Sequence, residues 1–254
     1  MVEKIIIDAG HGGENPGASY EGRKESEDAL RLAMAVGRIL ADDGFDVVYT
    51  RTDDETQSVR DKAAIANESG ADLFISIHRN AAARDNLYNG VQALIYGPGG
   101  LRQEVAQNIV DELETVGFQN LGVENRPELV VLNKTQMPAV LVEAGFIDSD
   151  KDNELFDSRF QEMAQAIAAG IENSVEHPEN NPSPRYTVQV GAFRNKIYAD
   201  NLLLRLKRQG YPARIDEMDN LYRVRVGSYG ELDQAADMEQ RLKNRGYTTF
   251  LTTM

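Results

Sequence analysis

At 254 residues, with 41% apolar and 27% charged residues, the chain has the make-up of a globular protein with room for one sizeable core and a small second domain. It contains no cysteine, which excludes disulfides and cysteine-held metals and leaves three histidines and the carboxylates as metal-capable groups. The net charge of −14 is split, −17 over residues 1–177 against +4 over residues 185–254, so the acidic body is excluded as a nucleic-acid binder and two units with separate jobs are expected.

Taken in order, the chain alternates strand and helix. Residues 4–8 (KIIID) read as a strand that gives way to GHGGENPGA, whose glycines suit a tight loop bringing backbone close to a ligand. A phosphate-cradling loop is the rival reading, but no Gly-Lys-Ser/Thr follows and the dinucleotide spacing is absent. A helix is predicted near residues 25–43, strands at 45–50, 73–77, 91–96 and 139–143, and further helices near 58–69, 100–116 and 158–174. This order implies an α/β fold, a mostly parallel sheet sandwiched by helices. Near-continuous apolar strands such as AVLV agree, since both faces would be covered.

On the first helix, Ala29, Leu32, Ala33, Val36, Ile39 and Leu40 form an apolar stripe with Glu25 near its centre, while Glu27 and Arg31 fall opposite. A carboxylate aimed at a core must be paired or must coordinate something. The plainer reading is a first-turn Glu that frays to solvent and favours the helix dipole. In open α/β sheets ligands bind beyond the carboxyl ends of strands. His11 in IIIDAGHGG, His78 in LFISIHRN and Glu143 in AVLVEAGF all fall there, although each alone reads equally well as a hydrogen-bonded or solvated group. Together, His11, Glu25 and His78 supply two imidazoles and a carboxylate, a known catalytic set for one Zn2+ with the fourth position left to water. Glu143 is then the candidate to take a proton from that water and pass it to a leaving amine.

Residues 177–184, HPENNPSP, read as a linker. Beyond it, YTVQVGAF and YRVRVGSY open two copies of one pattern, each closing on LKRQGY or LKNRGY, so that Tyr186 matches Tyr222, Gly191 matches Gly227 and Tyr211 matches Tyr247. With PARIDEM and TTFLTTM as further strands, the order βαββαβ is expected, a small α+β domain with two helices on one sheet face. Gln189, Arg223 and Arg225 fall out of phase with the apolar positions and should decorate the open face.

The motifs IIIDAGHGGENPGA, GRKESEDALRLA, SIHRNA and PAVLVEAGFIDSDKDNELF resemble, in order and spacing over residues 3–176, the zinc-dependent N-acetylmuramoyl-L-alanine amidases of the type 3 family. The resemblance implies a peptidoglycan hydrolase that cleaves the amide between N-acetylmuramic acid and L-alanine. It places the zinc ligands on His11, Glu25 and His78 and the catalytic carboxylate on Glu143. Residues 185–254 resemble a SPOR domain, which implies binding to the glycan strands of peptidoglycan, with Gln189, Arg223 and Arg225 as its candidate contacts. Two positions depart from the amidase pattern. Ala9 stands where proline is common, and Arg79 fills a place that is often small or apolar, where it either biases substrate choice toward a stem-peptide carboxylate or is solvated. Asn80 either holds substrate or turns the chain after its strand. A zinc carboxypeptidase acting on the stem peptide and a non-catalytic wall-binding protein are the alternative functions. No segment approaches membrane-spanning length and the apolar run before Asp8 is short for a signal peptide, so neither membrane nor nucleic acid is expected as a partner. Synthesis in the cytoplasm and action at the wall after lysis are expected.

Overall fold

The computed structural model describes residues 2–175, 185–218 and 220–253, so the linker expected at residues 177–184 lies outside the described residues. The chain divides into two compact units, residues 1–180 and 181–254.

The first unit runs β1 (Lys4–Ala9), a short hairpin β2 (Ser19–Tyr20) and β3 (Arg23–Lys24), α1 (Glu25–Asp42), β4 (Asp46–Tyr49), α2 (Val59–Ser69) and β5 (Leu73–Asn80). It continues with β6 (Val91–Ile95), α3 (Leu101–Val116), β7 (Asn120–Asn125), α4 (Val130–Asn133), β8 (Ala139–Phe146), α5 (Asp150–Ser158) and α6 (Phe160–Glu172). Its strands lie in the order β4-β1-β5-β8-β6-β7. All neighbours are parallel except β6 and β8, which run antiparallel. The expected sandwich is therefore present, with α1, α3 and α6 packed together on the sheet and α2 against α4. Ile5, Ile6 and Ile7 are all buried, as strands covered on both faces require.

Local chemistry explains the element ends. Ser58 caps α2 through a reciprocal capping box with Asp61, and Gly70 closes it in the left-handed region at φ 70°. Sequence periodicity misses β7, α4 and α5. NLGVEN is mostly polar and half-exposed, so no apolar alternation marks it as a strand. In DKDNELFDS only Asp152 and Phe156 are buried, and its start is set by Ser149, whose side chain accepts from the Asp152 N–H.

The second unit has the expected order, β9 (Tyr186–Phe193), α7 (Lys196–Arg208), β10 (Ala213–Met218), β11 (Leu221–Tyr229), α8 (Leu232–Lys243) and β12 (Phe250–Thr253). Its strands lie β10-β11-β9-β12, all neighbours antiparallel. Val188, Val190, Val224 and Val226 turn toward Ala199, Leu202, Leu206 and Leu242 in one core. Gln189, Arg223 and Arg225 alternate with those valines as expected, but they are buried, at 3%, 5% and 4% exposure, rather than displayed. Arg225 Nη1 lies 3.4 Å from Asp216 Oδ2 on β10. Gln189 sits on a central strand with Arg225 and Phe250 directly opposite on its two neighbours.

Candidate metal centre and active site

The site begins with a buried ion pair beneath it. Asp8, near the end of β1, takes hydrogen bonds from Lys62 Nζ (2.7 Å), Thr50 Oγ1 (2.6 Å) and Ser76 Oγ (2.6 Å). Burial pushes this carboxyl up, yet Lys62 and the three hydrogen bonds outweigh it and hold the pKa at about 2. Lys62 also donates to the Ala9 carbonyl (2.6 Å), fixing where β1 ends. Arg51, wholly buried, donates to the carbonyls of Ala9 (3.0 Å), Gly10 (2.8 Å), Ser26 (2.8 Å) and Asp53 (2.9 Å). One guanidinium thus ties the loop after β1 to the first turn of α1.

That loop carries His11 at φ 57°, a left-handed conformation rare outside glycine. Gly10 must be glycine because a Cβ there would stand 2.5 Å from the His78 ring. At Gly17, φ 69°, a Cβ would meet Glu25 Oε2 at 2.4 Å. Glu25, the first residue of α1, is buried rather than frayed. Backbone N–H groups of Ala18 (2.9 Å, to Oε2) and Arg79 (3.2 Å, to Oε1) aim its carboxylate. Its Oε2 lies 3.0 Å from His11 Nε2 and its Oε1 2.8 Å from His78 Nδ1, with the two imidazoles edge to face at 4.9 Å. Burial would raise the Glu25 pKa, but the two histidines hold it well below the carboxylate range. Burial lowers that of His78, and Glu25 raises it above normal overall.

Three ligand atoms, one each from His11, Glu25 and His78, lie within 4.8 Å of one another. Two atoms sharing a tetrahedral zinc sit roughly 3.4 Å apart, given metal bonds of roughly 2.0–2.2 Å. The donor set and its spacing therefore fit the ion. Glu143 pairs with His78 across the β5–β8 ladder, which puts both side chains on one face. Its Oε2 is buried with no hydrogen-bond partner among the described residues. Burial lifts its carboxyl pKa to about 7, the Glu25 charge adding to the rise and the His78 and His11 imidazoles opposing it. A cavity of about 330 Å³ opens beside His11 and His78, walled by Val59 and Leu129–Val131.

The structure joins His11, Glu25, His78 and Glu143 as the sequence predicts and corrects Arg79. That side chain is 2% exposed, neither solvated nor facing substrate. Its guanidinium bonds to Asp28 (2.5 Å), Asn153 (2.8 Å) and the carbonyls of Phe146 (3.1 Å) and Gly145 (3.3 Å), above the Phe156 ring. With His78 facing the site, Arg79 emerges on the opposite face of β5, toward α1 and α5. Asn80, the last residue of β5, accepts from the Ala81 N–H through its Oδ1 (2.8 Å). Sequence reasoning missed Asp8, Lys62 and Arg51. Lys62 carried the signal that exposed Glu25, a charge sharing a helix face with buried Ala63 and Ala66.

Residues 5–173 match the family N-acetylmuramoyl-L-alanine amidase, two-thirds of the chain. The chain belongs to this family. Residues 182–253 of the amidase match the SPOR domain. The sporulation-specific N-acetylmuramoyl-L-alanine amidase of Bacillus subtilis is 35% identical over 214 residues, covering 82% of each chain. The endolysin of Bacillus phage SPP1 is 34% identical over 67% of this chain and 65% of its own. Among solved structures, an N-acetylmuramoyl-L-alanine amidase from Clostridium difficile 630 superposes with a TM-score of 0.64 at 28% identity, over 68% of this chain and 96% of its own. The catalytic domain of CwlV, an N-acetylmuramoyl-L-alanine amidase from Bacillus (Paenibacillus) polymyxa, gives 0.62 at 29% identity, over 67% and 97%.

Proposed function

We propose that the chain is a zinc-dependent peptidoglycan amidase hydrolysing the bond between the lactyl carbonyl of N-acetylmuramic acid and the nitrogen of L-alanine. The observation that carries this is the convergence of His11, Glu25 and His78 beside a carboxylate, Glu143, with a pKa raised to about 7. Zinc held by the three ligands would polarise the carbonyl and lower the pKa of water. Glu143 accepts the proton of the attacking water and returns it to the alanine nitrogen as the C–N bond breaks, leaving a lactyl carboxylate and a free amine. A pKa near neutrality suits a group that must both take and give that proton. Arg51, Asp8 and Lys62 keep the His11 loop and α1 in register, so the ligands are pre-set rather than gathered by the metal. The SPOR unit binds glycan and raises the local concentration of muramyl amides around the catalytic unit.

The test is metal content against activity for the full chain and for His11→Ala, Glu25→Gln and His78→Ala. One zinc per chain in the parent, with zinc and hydrolysis lost together in each variant, is the expected result. Hydrolysis by metal-free protein would overturn the zinc dependence.

A further inference from the structure

The cavity beside His11 and His78 has no Phe, Tyr or Trp among the described residues of its lining. Its wall is aliphatic, Val59 and Leu129–Val131, and its rim is polar, with Asn15, Ser58 and Glu128. Pyranose rings are commonly met by aromatic faces, whereas a short peptide asks for small apolar contacts and a few polar groups. The cavity is therefore built for the peptide half of the scissile amide rather than the sugar half.

A cation is tied to this lining, Arg126 through Glu128. β7 ends where the Arg126 N–H donates to Ile95 O (2.9 Å), and the chain then turns, Leu129 N–H to Arg126 O (3.2 Å) and Asn133 Nδ2 to Pro127 O (2.8 Å), before α4 begins. This turn fixes Arg126 and Glu128 together, with Arg126 Nε on the Glu128 carboxylate. Around the site, Lys62 is used on Asp8, Arg79 on Asp28 and Arg51 on four carbonyls, all three buried. Arg126 differs, with its side chain 38% exposed and no hydrogen bond to its Nη1 or Nη2 among the described residues. It is close enough to Glu143 for each charge to shift the other. With Nε taken, the Nη1–Nη2 edge presents the fork that a carboxylate accepts in bidentate fashion.

We propose that this cavity is the peptide subsite and that Arg126, braced by Glu128, binds a carboxylate on the residue following the alanine. The enzyme then favours a stem peptide whose second residue carries a free α-carboxylate over one in which that group is a carboxamide. This rests on the amidase reading above. It also assigns to Arg126 the recognition that the sequence suggested for Arg79.

The experiment compares two soluble muramyl peptides differing only in that carboxylate or carboxamide, with the full zinc-loaded chain and with Arg126→Gln and Arg126→Lys. The parent should favour the carboxylate in kcat/KM by roughly 10- to 100-fold, the range of a hydrogen bond between charged groups. The ratio should collapse toward one in Arg126→Gln through KM for the carboxylate peptide, and recover in part in Arg126→Lys. Equal use of both peptides by the parent, or an unchanged ratio in Arg126→Gln, would overturn the proposal. Calorimetric binding of the same two peptides separates this from the reaction itself. A carboxylate preference in binding that Arg126→Gln removes, with neither peptide cleaved, would uphold the subsite and overturn the amidase reading. Equal affinities in the parent would overturn the subsite.

Discussion

Glu143 and Arg79 show how much one side chain's surroundings decide. Glu143 has an orphaned oxygen beside two imidazoles and a pKa raised to about 7, the features on which its proposed proton-transfer role rests. Glu143→Gln should cut kcat by roughly 10²- to 10⁴-fold, the usual share of a general acid/base, while zinc content and melting temperature hold. A variant with full turnover would remove Glu143 from the reaction. Arg79 is structural. Removing its guanidinium in Arg79→Met leaves buried Asp28 with one partner fewer, and urea unfolding should show a loss of roughly 3–5 kcal/mol, the cost of breaking a buried pair. A stability loss within error would mean that Asp28 is satisfied by Arg23 alone. The convergence of His11, Glu25 and His78 was legible because each breaks a local pattern, a histidine at a strand end or a carboxylate in an apolar stripe. Arg79 was not, because strand alternation says that it opposes His78 but not that Asp28 and Asn153 wait on the other side.

At the scale of elements, the long strands and helices follow from periodicity, and the short pieces do not. β1, β5 and β8 announce themselves through apolar runs, whereas β7 depends on pairing with β6 and α5 on a Ser149 cap, both set by tertiary context. The contact between α3 and α6 is equally invisible in a single sequence. Gly170 brings its helix so close that a Cβ would lie 2.6 Å from the Ile109 backbone. Gly170→Ala, normally favourable within a helix, should instead lower stability by roughly 1–3 kcal/mol, the cost of overpacking, since backbone cannot rotate away. An unchanged or raised melting temperature would show that the helices separate freely. In the second unit the repeat predicts the order of all six elements. It does not predict that Arg225 pairs with Asp216, because that depends on the register of the neighbouring strand β10.

For the molecule as a whole, stability in acid and the hydrolysis of peptidoglycan are the properties that integrate these parts. Asp8 has a folded pKa of about 2 against an ordinary 3.8, so its contribution is complete above about pH 4 and is lost as pH falls toward 2. The shift corresponds to about 2 kcal/mol, and unfolding free energies measured across that window should fall accordingly. A flat profile would mean that the Lys62 pair forms equally in the unfolded chain. The measurement that bears most directly on the central claim is mass spectrometry of the soluble products released from purified peptidoglycan by the full chain, before chelation, after it and after zinc is restored. Free stem peptides beginning at L-alanine, lost on chelation and regained with zinc, are the predicted result. Shortened peptides still joined to muramic acid, or release that survives complete metal removal, would contradict the account.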